Sequence, residues 1–411
     1  MKEALLTLAL AVLAVTLLFG AAIYQNGWSR SDIEDNLGPL ESRPILPFKP
    51  LLESDRYHGF AIEIHNRAML GEFEKCIKEL ADIGADTVLL SAAGYQDNGA
   101  SSTIAMLHHS APNQADLEEL IGVAKSRGMR VIFMPIVLLD NPRGTEWRGK
   151  ITPTDPDRWW SDYREFIRYY AEAAEKAGAD IFMVGSELNR METSTGRWRS
   201  LIAFLRKNYP KLKLGYSANW DRYWKVAFWN DLDYAGATSY YELARKADTA
   251  PSVDTIVQGW LDYTAEDGSR HHYRDKLIEW QRTIGKPVIF TEVGYYSRLG
   301  TACEPWNYCK DPLPALSMEE QANCFKAFLK VWTDPKPAGE GVGRRSPADI
   351  LGGVIFWKWN EVAGGPEDGD YTPKGKLAEQ VIRDYFAEAH PGKMSAGLGL
   401  TKAASATKPD R

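Results

Sequence analysis

The chain has 411 residues, with 49 Lys and Arg against 55 Asp and Glu, a formal charge of −6, and 44% apolar residues. That composition is globular and supports a sizeable core, and the length fits one large domain, two ordinary ones, or a barrel of about 250–400 residues. No block of Lys and Arg forms a nucleic-acid footprint, which sets that class of partner aside.

From Ala4 to Tyr24 the chain carries no charge. This stretch suits a signal-peptide core with cleavage after Ala22. It equally suits an uncleaved anchor, since about 20 apolar residues span a bilayer. Either reading puts the remainder outside the cytoplasm, secreted or tethered to the membrane by residues 1–24. Residues 25–54, ending in "SRPILPFKPLLESD", read as a tether. The small, polar residues 393–411 read as a disordered tail, which leaves residues 55–392 as one domain.

Within that domain a short apolar run is repeatedly followed by a loop and an amphipathic helical stretch. The runs are "YHGFAIEI" (57–64), "ADTVLLS" (85–91), "MRVIFMPIV" (129–137), "ADIFMVGS" (179–186), "KLGYSA" (213–218), "LDYAGATS" (232–239), "KPVIFTE" (286–292) and "GGVIFWKW" (352–359). Helical patterns lie between them, with only a short helix expected in "RYWKVAFWND" between the fifth and sixth runs. Several helices end at Gly before a strand, as in "EKAGAD", "KSRGMR" and "RTIGKP", where Gly suits the left-handed turn that stops a helix. Eight strand–helix units predict a single-domain α/β fold, the (β/α)8 TIM barrel, rather than an open sheet. No Gly-rich phosphate loop follows the first run.

In such a barrel the chemistry sits at the C-terminal ends of the strands. Glu187 follows the fourth run in "IFMVGSELN", and Glu292 ends the seventh in "VIFTEVGYYS". Two carboxylates from different sides of the ring suit glycoside hydrolysis, with one protonating the leaving oxygen and one on the opposite face of the sugar. By pattern alone, Glu63, Asp140, Glu242 and Glu361 occupy comparable strand ends. Aromatic residues favour the pair: Trp220, Tyr240, Tyr241, Tyr295, Tyr296, Trp357 and Trp359 gather at neighbouring strand ends, where rings stack on apolar sugar faces. Asn219 is placed to take a hydroxyl. Trp357 and Trp359, two apart, point the same way on a regular strand.

Cys303 and Cys309 share a loop suited to a disulfide in an oxidising compartment, while Cys76 and Cys324 lie in helical patterns as buried thiols. No zinc-type cysteine spacing occurs. The seven histidines, including His108–His109 and His271–His272, read as loop or surface residues, with His65 near the cleft. No metal or other cofactor is expected.

Five segments carry a family resemblance: "EWRGKITPTDPDRWWSDY", "FMVGSELNRMETSTGRWRSLI", "YSANWDRYWKVAFWNDLDYAGATSYYEL", "GKPVIFTEVGYYSRLGTACEPW" and "GVIFWKWN". In order and spacing the chain resembles glycoside hydrolase family 113, retaining β-1,4-mannanase-type barrels of clan A, over most of residues 57–390. The resemblance implies Glu187 as general acid/base and Glu292 as nucleophile, with Ser186 before the acid/base. It implies Asn219, Trp220, Tyr240 and Trp357 in the sugar site, and Trp147 and Arg148 in a loop over the cleft. A retaining pair stands about 5–5.5 Å apart, with Glu187 holding the higher pKa and Tyr240 or Tyr296 hydrogen-bonding Glu292. The substrate would be an oligo- or polysaccharide. Two departures, "IFMPIVLLDNPRG" for a Lys-Pro-His type element and "TSYYEL" for "DAYYPL", leave another β-glycan open as substrate; a non-catalytic carbohydrate-binding barrel is the other alternative, and the presence of both carboxylates argues against it.

Overall fold

All eight apolar runs become parallel strands of one closed ring in the computed structural model, which describes residues 39–106, 111–308, 312–333, 346–361 and 364–390. The strands are β1 (Tyr57–Ile64), β2 (Thr87–Gln96), β3 (Arg130–Leu139), β4 (Ile181–Ser186), β5 (Lys213–Ala218), β6 (Tyr234–Thr238), β7 (Val288–Val293) and β8 (Leu351–Phe356). Each pairs with its sequence neighbours, and β8 pairs with β1 to close the barrel. The chain therefore forms the expected (β/α)8 barrel. The apolar segment 1–24 and the tail 393–411 lie outside the described residues, as do His108, His109 and Cys309. Among the described residues no helix is long and apolar enough to cross a membrane. Residues Met1–Pro44 make a separate unit from Ile45–Arg411; in the first, Leu40–Ser42 forms a turn of 3-10 helix.

Among the described residues eight helices accompany the strands: α1 (Leu70–Asp82), α2 (Gln114–Ser126), α3 (Pro156–Ala177), α4 (Thr195–Asn208), α5 (Val253–Leu261), α6 (Tyr273–Ile284), α7 (Met318–Trp332) and α8 (Leu377–Ala389). Their ends follow local chemistry. Asp155 caps α3 by accepting from Arg158 N, Pro156 starts it, and Gly178 stops it at φ 82°, the left-handed conformation glycine adopts without a Cβ clash. Between β5 and β6 only two 3-10 turns form, Tyr223–Lys225 and Trp229–Asp231. The helical stretch expected before β7 is instead two helices, α5 and α6. A small ribbon, Tyr263–Thr264 against Arg270–His271, separates them.

Alternate residues of the strands meet inside the ring. Ala61, Leu89, Ile132, Met134, Ile181, Met183, Ile289 and Ile355 form one buried cluster, the layered filling of a packed barrel. Cys76 in α1 and Cys324 in α7 are buried thiols, as expected.

Candidate active site

Both glutamates stand just past an irregularity in their own strand. Along β4 and β5 the pairing runs Met183 to Gly215 and then Ser186 to Ser217, so β4 spends three steps where β5 spends two. Along β7 the pairing with β6 passes from Phe290 to Glu292 while β6 moves one residue, and β8 also meets one extra residue of β7. A bulge of this kind re-aims the side chains beyond it.

Aromatic packing holds the β4 bulge. The Tyr163 hydroxyl donates to Val184 O at 2.7 Å. Gly185 makes that approach possible: a Cβ there would lie 2.5 Å from the Tyr163 hydroxyl and 3.0 Å from Trp198. Glu187 then adopts φ 52°, the only positive φ outside glycine among the described residues, and its N–H donates to Ser217 O at 2.8 Å. A carboxylate residue in the left-handed region is strained backbone, the kind that surrounding structure must enforce. The next N–H, of Leu188, donates to the Tyr216 hydroxyl at 3.0 Å, which in turn donates to Glu192 Oε1 at 2.9 Å.

The two carboxylates converge on one cation. Arg148, from the loop after β3, sets Nη2 2.6 Å from Glu187 Oε2 and 3.9 Å from Glu292 Oε1. The two oxygens are therefore no farther apart than these distances laid end to end, far inside a separation of about 10 Å that no glycosidase pair reaches. Thr238 donates to Glu187 Oε1 at 3.1 Å, and Tyr240 donates to Glu292 Oε2 at 2.8 Å. Glu292 Oε1 accepts no hydrogen bond and is buried. Glu187 and Glu292 are 6% and 3% exposed.

Burial, and then the charge of Glu187, push the Glu292 carboxyl up to about 8, against the opposing pull of Arg148 and Tyr240. The sequence reading put the higher proton affinity on Glu187. The structure raises Glu292, chiefly because the group is buried and next because the Glu187 carboxylate faces it.

The other residues singled out in the sequence fall as follows. Tyr240, Tyr296 and Tyr371 form an aromatic cluster against which Trp220 and Trp357 pack. Trp220 is half-buried, stacks on the exposed Trp306 with centroids 5.5 Å apart, and donates its backbone N–H to the Thr238 hydroxyl. Asn219 is 9% exposed. Trp147 is half-buried and its indole covers Gly149, beside Arg148. Of the two tyrosines considered as partners of Glu292, Tyr240 makes the bond. Tyr296 is buried with an unbonded hydroxyl and packs edge-on against Tyr371.

Trp357 and Trp359 part company, against the expectation that they share a face. The strand ends at Phe356 and a cis peptide joins Trp357 to Lys358. Trp359 is buried against Phe60 and donates to Glu79 Oε2 of α1 at 2.8 Å. His65 reaches Glu361 at 2.9 Å at the same mouth. The resemblance put Arg148 in a loop over the cleft, and it is the shared cation; Thr238, Tyr371 and Glu192 were not singled out in the sequence. A signal for Arg148 existed in "EWRGK", an Arg in a loop after a strand end.

A closed parallel barrel with a buried carboxylate pair and an aromatic rim at one mouth is the architecture of barrel glycosidases. The model of glycoside hydrolase family 113 matches residues 70–376. The chain belongs to that family and is a glycoside hydrolase. A family 113 β-1,4-mannanase structure superposes with TM-score 0.66 at 24% identity, over 81% of this chain and 99% of that one. The family 113 β-mannanase of Alicyclobacillus acidocaldarius in complex with ManMIm gives 0.65 at 24% identity, over 84% and 98%. The endo-β-1,4-mannanase of Thermotoga petrophila gives 0.51 at 11% identity, over 82% and 77%. At these identities the superpositions bear on the fold alone. No curated protein matches the chain.

Proposed function

We propose that the chain is a retaining glycosidase that cleaves β-1,4-linked mannan or manno-oligosaccharides by double displacement. The observation that carries the mechanism is Glu292 Oε1: a buried carboxylate oxygen without a hydrogen bond, in a group whose other oxygen is fixed by Tyr240. That oxygen is free to attack the anomeric carbon. Glu187 gives its proton to the leaving oxygen as the C–O bond breaks, and Glu292 forms the glycosyl ester. Glu187 then takes a proton from water, which adds at the same carbon and releases Glu292.

The chemistry needs one proton on the pair. Two buried carboxylates with a single compensating guanidinium favour that count. When the sugar enters, the proton must reside on Glu187. Trp220, Trp306 and Trp357 offer ring faces to the sugar. The mannan reading rests on family membership and on the mannanases among the structural neighbours. With residues 1–24 as signal or anchor, hydrolysis takes place outside the cytoplasm, which fractionation of the producing cell tests.

Hydrolysis of β-1,4-manno-oligosaccharides, followed by proton NMR of the first anomer released, tests the proposal. Immediate appearance of the β-anomer supports double displacement; the α-anomer overturns it. Turnover confined to another β-glycan keeps the mechanism and moves the substrate.

A further inference from the structure

At the opposite end of the barrel from the glutamates, three ligand-type side chains meet. His58 is the second residue of β1, Asp86 stands immediately before β2, and His390 follows the last turn of α8. His58 is 1% exposed and Asp86 4%, so His58 is no surface residue, contrary to the reading of the histidines from sequence. The proposed hydrolysis uses none of the three.

Their distances form a triangle. His58 Nδ1 lies 3.2 Å from His390 Nε2 and 3.7 Å from Asp86 Oδ2. His390 Nε2 lies 2.9 Å from that same oxygen. A tetrahedral zinc ion with bonds of about 2.0–2.1 Å separates its ligand atoms by about 3.3 Å. The three edges bracket that spacing, so an ion seated over the triangle reaches all three atoms at bonding distance.

The outer atoms of the cluster are already engaged. His58 Nε2 faces Glu53 Oε1 at 3.1 Å, the outer carboxylate contact that orients an imidazole ligand from behind. Asp86 Oδ1 accepts from His58 N at 3.0 Å and from the Thr87 hydroxyl, which turns Oδ2 toward the imidazoles. Arg130 also pairs with Oδ2, and a carboxylate oxygen has two lone pairs to share.

We propose that His58, Asp86 and His390 form a binding site for a divalent transition metal of zinc type, with three protein ligands. Imidazole nitrogen and carboxylate oxygen suit Zn²⁺, Co²⁺ and Ni²⁺ rather than Ca²⁺ or Mg²⁺, which take oxygen sets. The ion ties the end of the last helix to the starts of the first two strands, across the seam where β8 meets β1. The site is structural and does not depend on the hydrolytic reading.

The test uses the full-length chain, stripped with chelator and titrated with Co²⁺. One equivalent binds, gives the visible bands of a four-coordinate nitrogen- and oxygen-ligated ion, and is displaced by Zn²⁺; Zn²⁺ raises Tm and chelator reverses the rise. His390→Ala weakens binding at least tenfold. His390→Cys restores it and adds a near-ultraviolet thiolate-to-cobalt band that the parent lacks. No saturable binding of one equivalent overturns the proposal and leaves a hydrogen-bonded cluster only. Equal affinity in parent and His390→Ala also overturns it, by placing the ion elsewhere. If His390→Ala does not fold, the presence or absence of the thiolate band in His390→Cys decides.

Discussion

The Tyr240 hydroxyl donates to Glu292 Oε2 at 2.8 Å and fixes one oxygen of a carboxylate whose other oxygen has no hydrogen bond. A hydrogen bond to a charged group contributes about 1.5–3 kcal/mol, which converts to roughly a tenfold to hundredfold change in rate. Tyr240→Phe should lower kcat by that factor while KM changes little. An unchanged kcat would remove Tyr240 from the alignment of Glu292.

The two glutamates should fail differently. Glu292→Ala abolishes turnover on every substrate, since no ester forms. Glu187→Ala loses about 10²–10⁴-fold on natural glycosides, the usual scale of general acid catalysis. It keeps rapid ester formation on an aryl glycoside whose leaving group needs no proton. A burst of phenol from Glu187→Ala and none from Glu292→Ala is the expected pattern; the reverse would exchange the roles.

Arg148 pulls the Glu292 pKa down, and burial with Glu187 pushes it up to about 8. Removing the guanidinium in Arg148→Gln therefore raises it further. In the proposed double displacement Glu292 must be ionised to attack, so the acid limb of kcat/KM against pH should move to higher pH. Profiles of the two proteins on one substrate read this directly, and a limb moving to lower pH would contradict the sign.

Glu292 also has a stability consequence. Its pKa is raised from 4.5 to about 8 on folding, so between these values the folded chain binds more protons than the unfolded one. Its stability then falls as pH rises across that window. Glu292→Gln lacks the penalty and should be the more stable protein above pH 8. The gap closes below pH 4.5, where both states of the parent are protonated. Paired denaturant melts at several pH values check it, and a gap that does not vary with pH would exclude Glu292 as its source.

Tyr216 joins the amide after Glu187 to the buried carboxyl of Glu192, which burial pushes up to about 8. Tyr216→Phe strips both of their partner, and each buried polar group left unpaired costs about 1–3 kcal/mol. The variant should lose stability of that order and, because Leu188 no longer anchors the turn, lose kcat more than KM. A stability loss without a kinetic change would make the link structural only.

Much of the barrel was legible because strand and helix periodicity are local. Each apolar run needs only its own residues to announce itself, and Gly178 and Gly285 mark helix ends through their own φ. Glu187 and Glu292 also closed apolar runs, but so did Glu63, Asp140, Glu242 and Glu361, and the pair stood out only through the nearby aromatic residues and the family resemblance.

What faces those carboxylates is not a local property. The bulges in β4 and β7 exist only relative to neighbouring strands, and they decide where each glutamate points. Arg148 reaches Glu187 from 39 positions away and Thr238 from 51. His390 meets His58 across 332. Trp359 left the face of Trp357 because the strand had already ended. The sequence by itself determined the eight units and the two acids, since hydrophobic burial writes its period into the chain. Tertiary closure alone decided their partners, their proton balance and the second cluster, because those depend on register between segments that share no local signal.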